Sequence, residues 1–347
     1  MAKRLLILAG LGFGVLLIVG LFVGAIGSAI FGDGEGFVSK PEIHLPPQPV
    51  FPATVRDCHL GLVTGEENLA MCPERIRSAA ANDAKSAEPG AAAEGHDTTA
   101  NGEAHATPLG ITQFAVTNTL LSAWVTTIVI ILVFVGGAWK KSMVPGRLQS
   151  LVETLLEGVL SFCSSVLGPE MGRKAFPVVA TIFFFVLFNA WLALLPFYQF
   201  LGFVLDGEIK AHLLRSAGTD LNMPLALALV SFVFVEYWGF RTHRLGYLKK
   251  FFAFGKLFRL RPSGLIDAFV GVLELVSELV RVVSFTFRLF GNMTAGEILV
   301  VMITFLVPFM AVEFVFGLEL LVGLIQAIIF AALTVVFLSV AVRHEEH

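Results

Sequence analysis

Two apolar runs near the C-terminal end limit the possible folds most severely. Residues 265–305 and 309–342 each continue well past the length of an ordinary membrane span. As single helices they would be roughly 60 Å and 50 Å long at 1.5 Å per residue. A hydrocarbon core is only about 30 Å thick. Helices of that length must break or incline steeply. No proline interrupts either run, so inclination is expected, with Gly291, Gly296, Gly317 and Gly323 as positions that permit bends. Shorter apolar runs at 5–30, 118–139, 176–201 and 221–240 predict four further crossings. Only 15% of the 347 residues are charged, against about a quarter in soluble domains. The fold class expected is an all-α polytopic membrane protein.

Basic loops orient such a chain. Residues 241–261 carry seven Lys/Arg and no acid, which puts that segment in the cytoplasm. Lys3, Arg4, Lys140, Lys141 and Arg147 fall on the same side when the crossings alternate. Residues 147–168, RLQSLVETLLEGVLSFCSSVLG, differ from the spans. Their apolar positions recur at helical spacing along one face, and Glu153 and Glu157 lie on the other. This helix is expected on the cytoplasmic surface or against a partner, with Cys163 as a small apolar residue in it. Residues 1–30 read as a signal peptide or as an uncleaved anchor. Residues 31–110 face outward and are rich in Ala, Pro and acids, a composition expected to be disordered. Cys58 and Cys72 lie there, and either a disulfide or two free thiols is compatible with that side.

Ionisable side chains inside spans cost about 2.5–3.5 kcal/mol each at mid-helix on insertion scales, and are functional candidates by default. The last two runs contain Asp267, Glu274, Glu278, Arg281, Arg288, Glu297, Glu313 and Glu319. Glu274, Glu278, Arg281, Arg288 and Asn292 follow one another at one-face helical intervals. Glu278 and Arg281 suit an ion pair. Asp267 and Glu313 fall near interfaces, and Glu236 falls near Arg241 at the end of an earlier span. Arg288 has no acid within four residues on its own helix and keeps its proton under all ordinary conditions.

Pro308 offers a place to fold the two long runs back on each other. Glu297 is eleven residues before it and Glu319 eleven after, so an antiparallel hairpin sets them side by side. Arg288 is likewise brought near Gln326. Glu274 then lies about 21 Å along the axis to the cytoplasmic side of Arg288, and Glu297 about 13 Å to the outer side. A carboxylate carries a proton and an arginine does not. The pattern is two acid-bearing half-paths separated by a fixed cation, with the carrier that bridges them supplied by another subunit.

FRLFGNMTAGE (287–297) closely resembles the signature of subunit a of F-type ATP synthases. VPGRLQSLVE (144–153), TDLNMPLALAL (219–229), LIQAIIF (324–330) and the closing EEH agree in order, so the resemblance covers about 111–347. It implies that Arg288 faces a ring of c subunits, with Asn292 and Gln326 beside it. It assigns Glu297 and Glu319 to an outer half-channel and Glu274 to a cytoplasmic one. Ser284 becomes a polar position before the arginine, and Asn189 and Asn222 line the outer path. The implied activity is proton translocation coupled to ring rotation, in a subunit that is not itself catalytic. The implied partners are the c-ring, the peripheral-stalk b subunits, the rest of the complex and the bilayer of a bacterial inner membrane. No cofactor, metal or nucleic acid is expected. The chain departs from the family pattern at AWLALLPFY (190–198), which lacks an acid some members have, and in residues 1–110. An autonomous anion channel or transporter using Arg288 as its ligand site is the competing reading; the repeats or broken helices it would need are absent from the sequence.

Overall fold

The computed structural model describes residues 47–52, 55–56, 115–139, 146–195, 198, 201–205, 208–243 and 262–342, together with seven helical residues between 12 and 20. For 203–205, 208–211 and 262–268 the backbone alone is described. Cys58 and Cys72, most of the acidic 31–110 segment, the basic run after His243 and the terminal EEH lie outside the described residues, as does the Asp267 side chain.

Six long helices follow in order: α1 (Asn118–Trp139), α2 (Arg147–Leu167), α3 (Pro169–Ala193), α4 (Asn222–His243), α5 (Pro262–Leu306) and α6 (Met310–Val342). Two short antiparallel strand pairs accompany them. β1 (Pro49–Phe51) pairs with β2 (Val116–Thr117), and β3 (Gly202–Leu205) with β4 (Glu208–His212). All six helices are long and apolar enough to cross a membrane by length and composition. That set includes α2, which the sequence reading laid on the surface. The N-terminal span counted there falls largely outside the described residues.

Helix ends follow local chemistry. Gly168 at φ 81° stops α2, because the left-handed region suits glycine. Pro169 then opens α3, where its missing N–H costs nothing. The run expected over 176–201 therefore begins seven residues earlier and ends at Ala193. Pro177 is accommodated inside it, its carbonyl accepting from the Thr181 hydroxyl at 2.7 Å. Asp220 Oδ1 accepts from the Asn222 backbone N–H at 3.1 Å and starts α4, a side-chain cap of an otherwise orphan donor.

α5 and α6 are unbroken over 45 and 33 residues, or about 68 Å and 50 Å. The turn between them holds Pro308 and Phe309, the latter at φ 73°. Gly296 and Gly323 lie inside continuous helix, where they permit close approach in place of bends.

The chain divides into two compact units. The first comprises Met1–Ile43, Val125–Leu194 and Gly218–His347. Its core has Ile182, Val186 and Leu187 of α3 against Ala228 of α4, Val282, Phe285 and Leu289 of α5, and Ala327 and Phe330 of α6. A second cluster joins Cys163 of α2 to Ala175 and Val179 of α3, Val235 of α4 and Val335, Leu338 and Ala341 of α6. Small residues set the spacing, as they do where helices meet without a hydrophobic drive. A Cβ built on Gly172 would stand 2.7 Å from the Ser164 Cα, and one on Gly323 2.7 Å from the Ala190 Cβ.

The second unit comprises His44–Trp124 and Leu195–Ala217. Polar contacts hold it together. Asn118 accepts from the Gln48 backbone N–H at 3.2 Å and donates to the His212 carbonyl at 3.4 Å. Ser122 and Tyr198 share a buried hydroxyl hydrogen bond of 2.9 Å.

Candidate functional site

The site is built on the α5–α6 hairpin and on the end of α3 that packs against it. Each half of the hairpin carries few polar groups, and the antiparallel turn at 307–309 decides which of them meet.

Asn292 Nδ2 donates to Gln326 Oε1 at 2.7 Å. Gln326 is 2% exposed, and Asn292 sits on the open face of α5. Gln326 thus bonds the residue one helical turn beyond Arg288, where the Pro308 fold-back had set it near Arg288 itself. Reflection about Pro308 sets Gln326 level with position 290, so the observed partner is two residues away, because the reversal occupies several residues and has no single pivot. Nearer the turn, the Glu319 carboxyl lies against Gly296. A Cβ built on Gly296 would stand 2.6 Å from Glu319 Cδ. Glu319 therefore reaches the turn of α5 that bears Glu297, and both acids are half-buried.

Arg288 is half-buried, one residue from Phe287, which is 56% exposed. Among the described residues, no ion pair or side-chain hydrogen bond engages its guanidinium. Around it, Val280, Val283, Phe287, Gly291 and Asn292 form an exposed and largely apolar strip along α5. Phe314, Leu318, Leu321 and Ile325 are exposed on α6. Ser284 is exposed, one turn before Arg288, and Glu274 is half-buried further toward the start of α5.

Asn189 of α3 is 3% exposed. Its Nδ2 lies 3.4 Å from a Cβ built on Gly218, and Met293 of α5 lines the same point. Asn189 is thereby brought to the level of Asn292, between Arg288 and Glu297. Asn222 is not gathered into this group. It is exposed at the start of α4, donating from Nδ2 to Asp220 at 3.0 Å.

Glu278 and Arg281 pair with each other. Arg281 Nη2 donates to Glu278 Oε1 at 3.0 Å, and its Cζ lies 3.8 Å from the Phe337 ring centroid. Glu278 is 5% exposed. A cation stacked on an aromatic face and bonded to a buried carboxylate is compensated on both sides. That separates Arg281 from Arg288.

Sequence reasoning missed the roles of three residues, having read Gly296 and Gly323 only as positions that permit bends. Gly296 is the seat of the Glu319 carboxyl. Gly323 lets α3 reach α6. Trp191 Nε1 donates to the Leu320 carbonyl at 3.0 Å, which ties α3 to the turn of α6 that carries Glu319. Their only sequence signal was position, one residue before Glu297 for Gly296 and two after Asn189 for Trp191. Among the described residues no group of three or more His, Cys, Asp or Glu could hold a metal ion.

The family profile described as the ATP synthase A chain matches residues 120–339. This chain belongs to the ATP synthase A chain family. The chain is similar to ATP synthase subunit a of Campylobacter concisus strain 13826, at 34% identity over 64% of this chain and 88% of that one. It is similar to ATP synthase subunit a of Sulfurihydrogenibium sp. strain YO3AOP1, at 32% identity over 66% and 98% of the two. The same protein of Gloeobacter violaceus is 34% identical over 66% and 85%. The chain is accordingly a multi-pass membrane subunit of the proton-translocating F-type ATP synthase. Arg288, Asn292, Gln326, Glu297 and Glu319 all fall within the matched residues.

Proposed function

We propose that this ATP synthase subunit provides two offset proton half-channels at a c-ring, with Arg288 as the barrier between them. Glu297 and Glu319, with Asn189 behind them, serve the outer half-channel. Glu274, with Ser284 on the way to the arginine, serves the cytoplasmic one. Asn222 stands at the outer end of α4, one residue beyond the Thr219–Leu221 approach to that path. The subunit does no nucleotide chemistry and needs no cofactor.

The observation that carries this reading is the state of Arg288. A guanidinium without a counter-charge in an apolar helix costs about 2.5–3.5 kcal/mol on insertion scales. A carboxylate on a passing c subunit would offset that cost. Facing Arg288, such a carboxylate is held ionised, so it must have released its proton to one half-channel before it can take one from the other. The guanidinium also repels a hydronium that would cross directly. Net proton flow then requires the ring to turn. The exposed apolar strip along α5 suits a rotating apolar partner, because it offers few bonds that rotation would have to break.

The open apolar residues Leu148, Leu151, Leu155 and Phe162 of α2 suit the cytoplasmic membrane surface and the peripheral-stalk b subunits. The complex would lie in a bacterial inner membrane, with residues 31–110 on the periplasmic side.

The test is Arg288→Ala in inverted membrane vesicles containing the whole complex, with ATP-driven acidification and passive proton leak recorded. Pumping is expected to stop while assembly persists. Pumping at the wild-type rate would overturn the half-channel reading.

A further inference from the structure

Where the start of α3 meets the end of α4, two cations converge on one indole. Lys174 Nζ lies 5.9 Å from the Trp238 ring centroid, and Arg241 Cζ lies 5.5 Å from it. Arg241 Nη1 donates to the Tyr237 hydroxyl at 2.8 Å. Lys174 comes from the first turns of α3 and Arg241 from the last turn of α4, so the fold creates this cluster and neither helix does so alone.

The geometry points to a binding site for the phosphate headgroup of an anionic phospholipid, held by Lys174 and Arg241 over Trp238. Both cations are exposed, while Trp238 is half-buried and packs on the core cluster of α2, α3, α4 and α6. The platform is therefore rigid and the charges are open. The two charges stand within about 12 Å of each other, a range at which like charges repel more strongly at a membrane boundary than in water. Among the described residues no ion pair engages either cation. Glu170, one turn before Lys174, does not close onto it. A phosphate between the two would make charge-assisted hydrogen bonds to both.

The surroundings select a lipid over a free anion. Val230, Val233, Tyr237 and Phe240 are exposed along the same helix, an apolar strip leading away from the cations on which acyl chains can lie. Basic pockets between spans on the cytoplasmic side favour anionic headgroups, and aromatic residues at that depth anchor the interface. Arg241 also opens the basic run 241–261.

The experiment uses the intact complex, extracted in detergent and washed, with retained phospholipid measured by mass spectrometry. Lys174→Gln with Arg241→Gln is compared with wild type, and with Lys174→Arg combined with Arg241→Lys. Wild type and the charge-conserving variant are expected to retain phosphatidylglycerol. The neutral variant should hold about one such lipid fewer per complex. Equal retention in all three would overturn the proposal. So would displacement of the lipid by millimolar inorganic phosphate alone, which would assign the site to a free anion. Should the neutral variant fail to assemble, photocrosslinking of wild type with a photoreactive phosphatidylglycerol decides. Labelled peptides containing Lys174 or Trp238 support the site, and labels only elsewhere refute it.

Discussion

Asn292 of α5 donates to Gln326 of α6 across 2.7 Å, and this bond records the register of the whole hairpin. Gln326 is buried while Asn292 is open. One amide is therefore committed to the fold, and the other stands on the face that carries Arg288.

That bond makes the two amides act as a unit. Truncating either leaves the other with an unmet hydrogen bond, at a cost of about 1–3 kcal/mol for a buried group. Asn292→Ala and Gln326→Ala are each expected to slow ATP-driven acidification of inverted vesicles. The double variant should be no worse than the poorer single one, because coupled residues are not additive. Independent, multiplying losses would show that the bond does not link them.

Gly296 leaves room for one carboxyl. A methyl group there would meet Glu319 Cδ at 2.6 Å, so Gly296→Ala must displace Glu319 or part the helices. Proton pumping is expected to fall at least several-fold, on the scale of the 1–3 kcal/mol cost of overpacking. Gly317→Ala is the control, since nothing lies within 4 Å of that position. Equal pumping by the two variants would remove Gly296 from the site.

The Glu278–Arg281 pair predicts a loss of stability without a specific loss of the proton barrier. Arg281→Met removes the ion-pair partner of a buried carboxylate, a loss that costs about 3–5 kcal/mol. The thermal midpoint of the purified complex should drop. Adding Glu278→Gln should restore most of it, since a neutral pair needs no counter-charge. A passive proton leak in the Arg281 variant equal to that of Arg288→Ala would give the two arginines the same role.

The α5–α6 hairpin was largely legible in advance. Its length, its lack of proline and the placement of acids about Pro308 follow from spacing along the chain. Apolar run length placed α1, α4, α5 and α6 within a few residues, and helical periodicity placed α2 within one. The run over 176–201 starts seven residues late and ends eight residues late against α3, because the charged residues at 170, 173 and 174 do not belong to an apolar run, although Pro169 suits a helix start. The glycines were read as flexible points. Gly296 and Gly323 are contact points, while nothing lies within 4 Å of a Cβ built on Gly291 or Gly317, a distinction that depends on what stands opposite.

By itself the sequence determined the spans, the cost of each buried charge and the one-face alignment of Glu274, Arg288 and Asn292, since helix geometry converts spacing into position without any partner. Only the tertiary structure decided that Gln326 bonds Asn292 and that Glu319 rests on Gly296. It also showed that, among the described residues, no side chain from another helix pairs with Arg288, where spacing along its own helix had left only the Glu278–Arg281 pair legible. Those outcomes depend on how helices distant in sequence approach one another, and a one-turn change of register would reassign every contact.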